Sequence, residues 1–321
     1  MGCPDVYGDE YGEEPLSTVG QLIERAYRDY LYPAADRPPR TTLAATIASG
    51  TTTVQFTDGL LTPEEEALLG AGTLIEIDRE LMLVTAINTT THTLTVIRNQ
   101  EGTTAVAHTI GAGLFVAPVY PRQVLFDAVA DNVVRLYPSL WSVETDEITT
   151  ASAPVEVESD AVEIVKFMYP DTSSISGSTR WMHGAAELLT DFSYVTSTVA
   201  IQFHESVPTG RTGYLTYKRR FLRPTKEDDD LSTDFGVDRS WDRIIVVGAT
   251  LDAINARDID IATQNFITET AAAEAFPVGS GEKIRNALIR YYEYLLAQAK
   301  RSLQHRYPLG MEYTDTGTYG V

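Results

Sequence analysis

Histidine and cysteine are the side chains that most often hold metals, and their positions in this chain form no metal-binding pattern. Zinc ligands recur in pairs a few residues apart. The five histidines are scattered, and the single cysteine, Cys3, has no second cysteine to work with. The histidines are His92, His108, His183, His204 and His305. We therefore expect neither a metal site nor any other cofactor.

Three other stretches come near known chemistry and miss its spacing. Gly70-Ala71-Gly72 lacks the third glycine of a dinucleotide-binding turn, and the Gly-Ser-Gly at 279–281 lacks the spacing of a serine nucleophile elbow. The aspartates that follow Asp228 suggest a calcium loop, but Arg239 stands where such a loop needs its bidentate glutamate. We expect no catalytic residues. A glycan hydrolase stays an unfavoured alternative, because its two carboxylates pair in space rather than in sequence.

A dense basic cluster is better suited to binding another protein. It runs through Lys218, Arg219 and Arg220 and continues to Arg223. A solvated strand end is the simpler interpretation. The functional alternative is contact with an acidic neighbour, such as the 227–230 stretch of the next copy in a homo-oligomer.

The residues after Pro308 form a second candidate for partner binding. This tail has few apolar residues and no helical period, so alone it is predicted to be disordered. Met311, Tyr313 and Tyr319 are unusual in a purely solvated end. We expect them to act as anchors on a neighbouring protein.

Charge and hydropathy narrow the range of partners. With 45 acidic against 25 basic residues, the formal net charge is −20. Such a chain repels a polyphosphate, so we expect DNA to pass by it without tight binding. No stretch reaches the ~18 uncharged apolar residues of a membrane helix, which predicts no membrane contact and an intracellular protein.

Four separated helical patterns must position these residues. They begin near Thr18, Pro121, Ser240 and Glu282, and each carries an apolar stripe that it cannot bury alone. Short β runs fill 43–118 and 145–223. We therefore predict an α+β fold, a helical bundle with two inserted antiparallel β units of barrel or sandwich type. The predicted boundaries are 1–42, 43–118, 119–142, 143–224 and 225–321.

The first β region resembles a small module of tailed-bacteriophage virion proteins. Residues 72–84 read GTLIEIDRELMLV and residues 93–108 read TLTVIRNQEGTTAVAH. The module has the pattern ID-x-E-x-M-x-V, then TLTV-x-RG-x-x-GTTA-x-AH, and Asn99 stands where it has glycine. The resemblance implies a structural protein of a virion.

Two helical stretches are similar to helices of head-to-tail connector proteins, which are adaptor subunits beneath the portal. They are NVVRLYPSLW at 132–141 and YYEYLL at 291–296. The resemblance implies a homo-oligomeric ring of twelve copies around the DNA channel, assembled in the host cytoplasm. The portal protein would lie above it and a stopper or tail-completion protein below. A minor tail or baseplate protein, with host-surface or protein-binding β domains, is the alternative.

Overall fold

The chain folds into a mixed α+β structure with antiparallel sheets. The computed structural model describes residues 18–31, 38–171, 180–189, 199–205, 207–256 and 280–307. Its α-helices are α1 (Val19–Ala26), α2 (Pro63–Ala67), α3 (Arg122–Arg135), α4 (Asp242–Ala256) and α5 (Ser280–Arg306). A π-helical stretch, Tyr27–Leu31, continues α1, and short 3-10 turns occur at Gln100–Gly102 and Arg239–Trp241. None of the described helices is long and apolar enough to cross a membrane.

The strands fall into two groups along the chain. The first group is β1 (Arg40–Thr42), β2 (Thr53–Gln55), β3 (Leu74–Ile77), β4 (Glu80–Asn88), β5 (Thr93–Ile97) and β6 (Gly113–Val116). The second group is β7 (Ser142–Thr149), β8 (Val155–Val157), β9 (Ala161–Asp171), β10 (Arg180–Gly184), β11 (Ala186–Leu189), β12 (Val199–Phe203) and β13 (Thr212–Arg219).

Local signals place the helix starts where the sequence predicts them. Thr18 and Gln21 form a reciprocal capping box at α1, and Thr62 and Glu65 form another at α2, with Pro63 in the first turn. Each box satisfies two backbone N–H groups that a helix start leaves without partners. The helix start that the sequence predicts near Thr18 is confirmed.

Helices α1, α3, α4 and α5 contribute to one buried apolar cluster. Helix α4 lies against each of the other three, and α1 also contacts α3. In the π-helical stretch, burial raises the pKa of Tyr30, and Tyr291 of α5 adds to this rise. Leu140, Phe221, Leu231 and Val237 extend the cluster beyond the helices. Segments far apart in sequence thus form a single core.

The close approach of α3 to α4 depends on Gly248. Asn132, which is buried in α3, donates hydrogen bonds to the Ala128 carbonyl (2.8 Å) and to the Asp252 carboxylate (2.7 Å). A Cβ on Gly248 would lie 2.2 Å from the side-chain oxygen of Asn132. The helices therefore pack as they do because this position has no side chain.

We expect Gly248→Ala to destabilise the protein by about 1–3 kcal/mol, since a held amide must move to make room. This cost exceeds the ~1 kcal/mol that alanine gains over glycine inside a helix. Urea unfolding followed by circular dichroism measures it. Gly70→Ala is the matched control, because nothing lies within 4 Å of its added Cβ. Equal stability of the Gly248→Ala variant and the wild type would show that the helices adjust without strain.

The first group of strands forms a six-stranded antiparallel sheet in the order β1-β6-β3-β4-β5-β2. Its outermost strands also meet, through the bridge between Leu43 and Phe56 and the hydrogen bond from Ala44 N to the Gln55 carbonyl (2.8 Å). The sheet therefore curls toward closure around its own apolar cluster. Because β1 pairs with β6, this unit begins slightly before the predicted boundary at residue 43.

The second group of strands forms two sheets that face each other. One has the order β10-β9-β13-β7 and the other the order β11-β12-β8. Phe167, Leu215 and Tyr217 from the first sheet share a core with Ile201 and Phe203 from the second. Alternate residues point into this core, as the period-two pattern of the sequence indicates.

Candidate functional site

The polar residues of the β-module motif come together in the first β unit. Asp78 and Glu80 lie at the two-residue turn between β3 and β4, where Ile77 pairs with Glu80. Arg98 directly follows β5, and His108 forms a bridge with Ile47. Residues up to 28 positions away thereby converge on one carboxylate, that of Glu80, and Asp78 bonds to His108.

Glu80 is held from every side. Arg98 donates to both of its oxygens, from Nε at 2.8 Å and from Nη2 at 2.5 Å. His108 Nε2 lies 3.0 Å from Oε2, and the Val106 N–H donates to the same oxygen at 3.1 Å. The remaining Arg98 donors go to backbone carbonyls, including that of Ala48 at 2.5 Å. Glu80 is 1% exposed and thus has no open side for a substrate.

The electrostatics favour the charged forms of Asp78, Glu80 and His108. The hydrogen bond from His108 lowers the pKa of Asp78. Burial opposes charge on Glu80, but hydrogen bonds from Arg98 and His108 outweigh it and lower the pKa. Burial likewise opposes charge on His108, and hydrogen bonds to Asp78 and Glu80 outweigh it and raise the pKa. Two cations therefore balance two anions within the described unit.

The remaining motif residues shape the turn beside this network. Asn99, which replaces the glycine of the module, adopts the left-handed conformation (φ 60°, ψ 41°). Asparagine tolerates that region better than most residues. Thr103 Oγ1 donates to the Gln100 carbonyl (2.8 Å) and accepts from the Leu81 N–H (3.1 Å). The motif thus encodes a folding device, and its polar groups face one another.

A second buried carboxylate joins the first β unit to the helices. Glu76, in the middle of β3, is buried and accepts a hydrogen bond from the Arg122 N–H at the start of α3. Pro121, the residue before α3, provides no side-chain cap, so Glu76 takes that role from another element. Burial raises the pKa of Glu76 to about 8.

The Arg122 side chain extends this junction to α1 and to the stretch before α4. Its guanidinium donates to the Glu227 carboxylate at 2.7 Å and forms an ion pair with Glu24. Arg79 approaches Glu227 at 3.7 Å. The acidic stretch 227–230 was the predicted contact for the basic cluster of a neighbouring copy. Its first residue, Glu227, is thus already paired within its own chain.

Two of the three predicted basic residues are also paired internally. Lys218 Nζ lies 2.6 Å from the Glu163 carboxylate and 4.8 Å from the centre of the Trp141 ring. Arg219 pairs with the buried Asp160 at 2.6 Å and with Glu144. Arg220 is exposed and donates to the Ser159 carbonyl at 3.5 Å. The structure therefore leaves Arg220 as the accessible member, and the predicted contact with a neighbouring copy stays a prediction.

The suspected calcium loop is a set of capped turns. The Asp229 carboxylate accepts the N–H groups of Thr225 and Lys226, each at 2.8 Å, and the Asp230 carboxylate accepts that of Ser232 at 2.8 Å. These bonds account for the aspartates without a cation. Among the described residues no group of three or more potential ligands is placed to hold a metal.

The tail anchors Met311, Tyr313 and Tyr319 lie outside the described residues, so their predicted role stays a prediction. Sequence reasoning missed both buried carboxylates as structural centres. For Glu76 a signal exists, because it is an acid within a run of apolar strand residues, LIEI. For Glu80 the spacing to Arg98 carries no local signal.

A comparison with protein-family models finds no match, and a comparison with curated protein sequences finds none either.

Proposed function

We propose that this chain is a non-enzymatic structural protein of a bacteriophage virion, a head-to-tail connector (adaptor) subunit. In this role it forms a ring between portal and tail around the DNA channel. The observation that carries the proposal is the module motif of residues 72–108, whose resemblance points to tailed-phage virion proteins. Its polar residues are engaged in holding the fold, as a structural module requires.

The arrangement of the helices supports the same role. We propose that α1, α3, α4 and α5 form the body of the subunit, as a bundle from which the two β units protrude. Their shared apolar cluster is built from four helices that the two β units divide into three stretches of the chain. A subunit of a ring needs such a rigid body between neighbours, while inserted units face outward at little entropic cost.

The net charge of −20 fits a wall that DNA slides past. A ring with this charge repels the phosphate backbone and does not grip the genome during packaging or ejection. We propose that genomic DNA is therefore a passing neighbour rather than a ligand, with the portal and a stopper or tail-completion protein as binding partners.

We expect the protein at the head-tail junction of intact particles, in twelve copies. Immunogold labelling and quantitative mass spectrometry of purified virions give its position and copy number. A variant lacking residues 309–321 should keep its circular-dichroism spectrum and its unfolding midpoint, yet fail to join portal-bearing heads, since Met311, Tyr313 and Tyr319 are its proposed anchors. Full incorporation of the truncated chain would contradict the docking role, and labelling along the tail would contradict the connector.

One observation favours the alternative of a minor tail or baseplate protein. Trp181 and Tyr214 are 45% and 42% exposed on neighbouring parts of the four-stranded sheet, with ring centres 5.6 Å apart. Adjacent exposed rings are suited to a protein or sugar surface. Labelling at the tail tip in the same experiment would select this function instead.

A further inference from the structure

The last helix is basic within a strongly acidic chain. Helix α5 carries six Lys and Arg residues against two Glu, a net charge of +4. Since the whole chain has a formal charge of −20, the remaining residues carry −24. This helix therefore has the opposite sign of charge from the rest of the chain.

One exposed stripe of α5 combines this charge with an aromatic ring. Arg290, Tyr294, Ala297 and Arg301, named here the basic stripe, follow one another at helical spacings and are all exposed. Tyr294 is 62% exposed, the highest value among the large apolar and aromatic side chains on described helices. Tyrosine and arginine around a small residue are the composition of a protein interface.

The described part of the chain leaves this stripe without partners. Among the described side chains of α5, Arg306 forms an ion pair, with Asp238 at 3.0 Å, whereas Arg290 and Arg301 form none. Ala299 and Leu303 are the buried side chains described on this helix, and Tyr292 packs partly buried against the same apolar cluster. The exposed basic stripe is therefore available to another molecule.

A complementary surface lies on the three-stranded sheet of the second β unit. Val155, Val157 and Ile201 point into its core, so Glu156 and Glu187 point outward, and both are exposed. Glu158 and Glu205, just beyond the strands, are exposed too. Strands β8, β11 and β12 contain no Lys or Arg. We name these four glutamates the acidic face.

We infer that the basic stripe of one subunit binds the acidic face of a second copy. Arg290 and Arg301 are separated by ~16 Å along the helix. Glu156 and Glu187 lie on the two strands that flank β12, opposite Ala200 and Gln202 respectively. This places them ~12 Å apart. The long arginine side chains span the difference. Because the two surfaces differ, one such contact per pair of copies is head-to-tail and generates a ring or a filament, whereas two reciprocal contacts would close a pair.

This inference rests on the self-association contained in the proposed function and assigns its interface. A nucleic acid is the competing occupant of a basic stripe. It is disfavoured, because the remaining −24 charges of the same molecule repel phosphates, while they attract the helix of another copy.

Charge reversal tests the contact on the full-length protein by sedimentation velocity at low salt. The wild type should associate. Reversal of either surface, Arg290→Glu with Arg301→Glu or Glu156→Arg with Glu187→Arg, should weaken association by about tenfold or more. A chain with all four changes should associate again, because opposite charges meet once more. Glu101→Arg with Glu147→Arg is the control for altered net charge at other exposed acids, and it should still associate.

Circular dichroism and the unfolding midpoint of each variant confirm folding, which exposed positions should leave intact. The inference is overturned if the wild type stays monomeric, if either reversal associates as the wild type does, or if the fourfold variant fails to recover. Loss of DNA retention by the Arg290 and Arg301 reversal, with association unchanged, would assign the stripe to nucleic acid instead. If the protein lies at the head-tail junction but charge reversal leaves its association unchanged, the proposed interface is wrong and the connector function is not affected. If the protein associates as inferred but is absent from that junction, the connector function is wrong and the interface is not affected.

Discussion

Glu80→Ala should destabilise the protein by about 3–5 kcal/mol, because it leaves the buried Arg98 and His108 cations without their shared anion. The cost arises from desolvated charge, since truncating the glutamate removes little apolar contact. Urea unfolding with circular dichroism detection measures the loss. Glu147→Ala, at an exposed glutamate of β7, should stay within ~0.5 kcal/mol of the wild type and serves as the control.

The same network predicts strong coupling between its members. In the Glu80→Ala variant Arg98 has already lost its main ion pair, so removing Arg98 as well should destabilise the protein less than it does in the wild type. The decrease in the free energy of unfolding for the Glu80→Ala and Arg98→Ala double variant should therefore be clearly smaller than the sum of the two single decreases. Additive losses would mean that the two residues act independently, contrary to their bonds of 2.8 and 2.5 Å.

The buried Glu76 predicts a stability that falls as pH rises. Burial raises its pKa from an ordinary value of 4.5 to about 8. Between those values the folded state holds a proton that the unfolded state has released, so each rise in pH favours unfolding. The contribution is fully present below pH 4.5 and is lost by about pH 8. Asp242, whose pKa burial raises to about 7, adds to the same slope.

Glu76→Gln should flatten this pH dependence and stabilise the protein above pH 8 by a few kcal/mol. This figure takes ~1.4 kcal/mol for each pKa unit and is then reduced, because the structure relaxes around a buried charge. The amide oxygen still accepts from the Arg122 N–H, so the cap on α3 is kept. Urea unfolding from pH 5 to pH 9 measures the slopes, and Glu147→Gln is the exposed control. Parallel curves for the wild type and the Glu76→Gln variant would show that Glu76 titrates normally.

Much of the fold follows from local patterns. The capping pairs Thr18 with Gln21 and Thr62 with Glu65 indicate where helices begin, and short runs rich in β-branched and aromatic residues indicate where β5 and β13 run. These signals are readable because their physical causes, a four-residue cap and a two-residue period, operate within a few positions.

The ion pairs could not be predicted from the sequence, because they join residues that are far apart along the chain. Lys218 finds Glu163 on the adjacent strand 55 positions away, and Arg219 finds Asp160 after a bulge shifts the register between them. A basic run in sequence therefore looked like one surface, whereas the strand sends consecutive side chains to different partners. The donor to Glu76 was likewise hidden, because it lies at the start of α3, 46 positions away.

The meeting of β1 with β2 has a consequence for aggregation. A sheet with two free edges offers rows of unpaired N–H and C=O groups on which further strands assemble, the first step toward aggregation. In this chain the residues after β1 and β2 satisfy each other instead, with Ala44 bonded to Gln55 and Thr57 bonded to Thr42, each at 2.8 Å. Copies of this chain that lie close together therefore cannot extend one another's first sheets at these bonded positions.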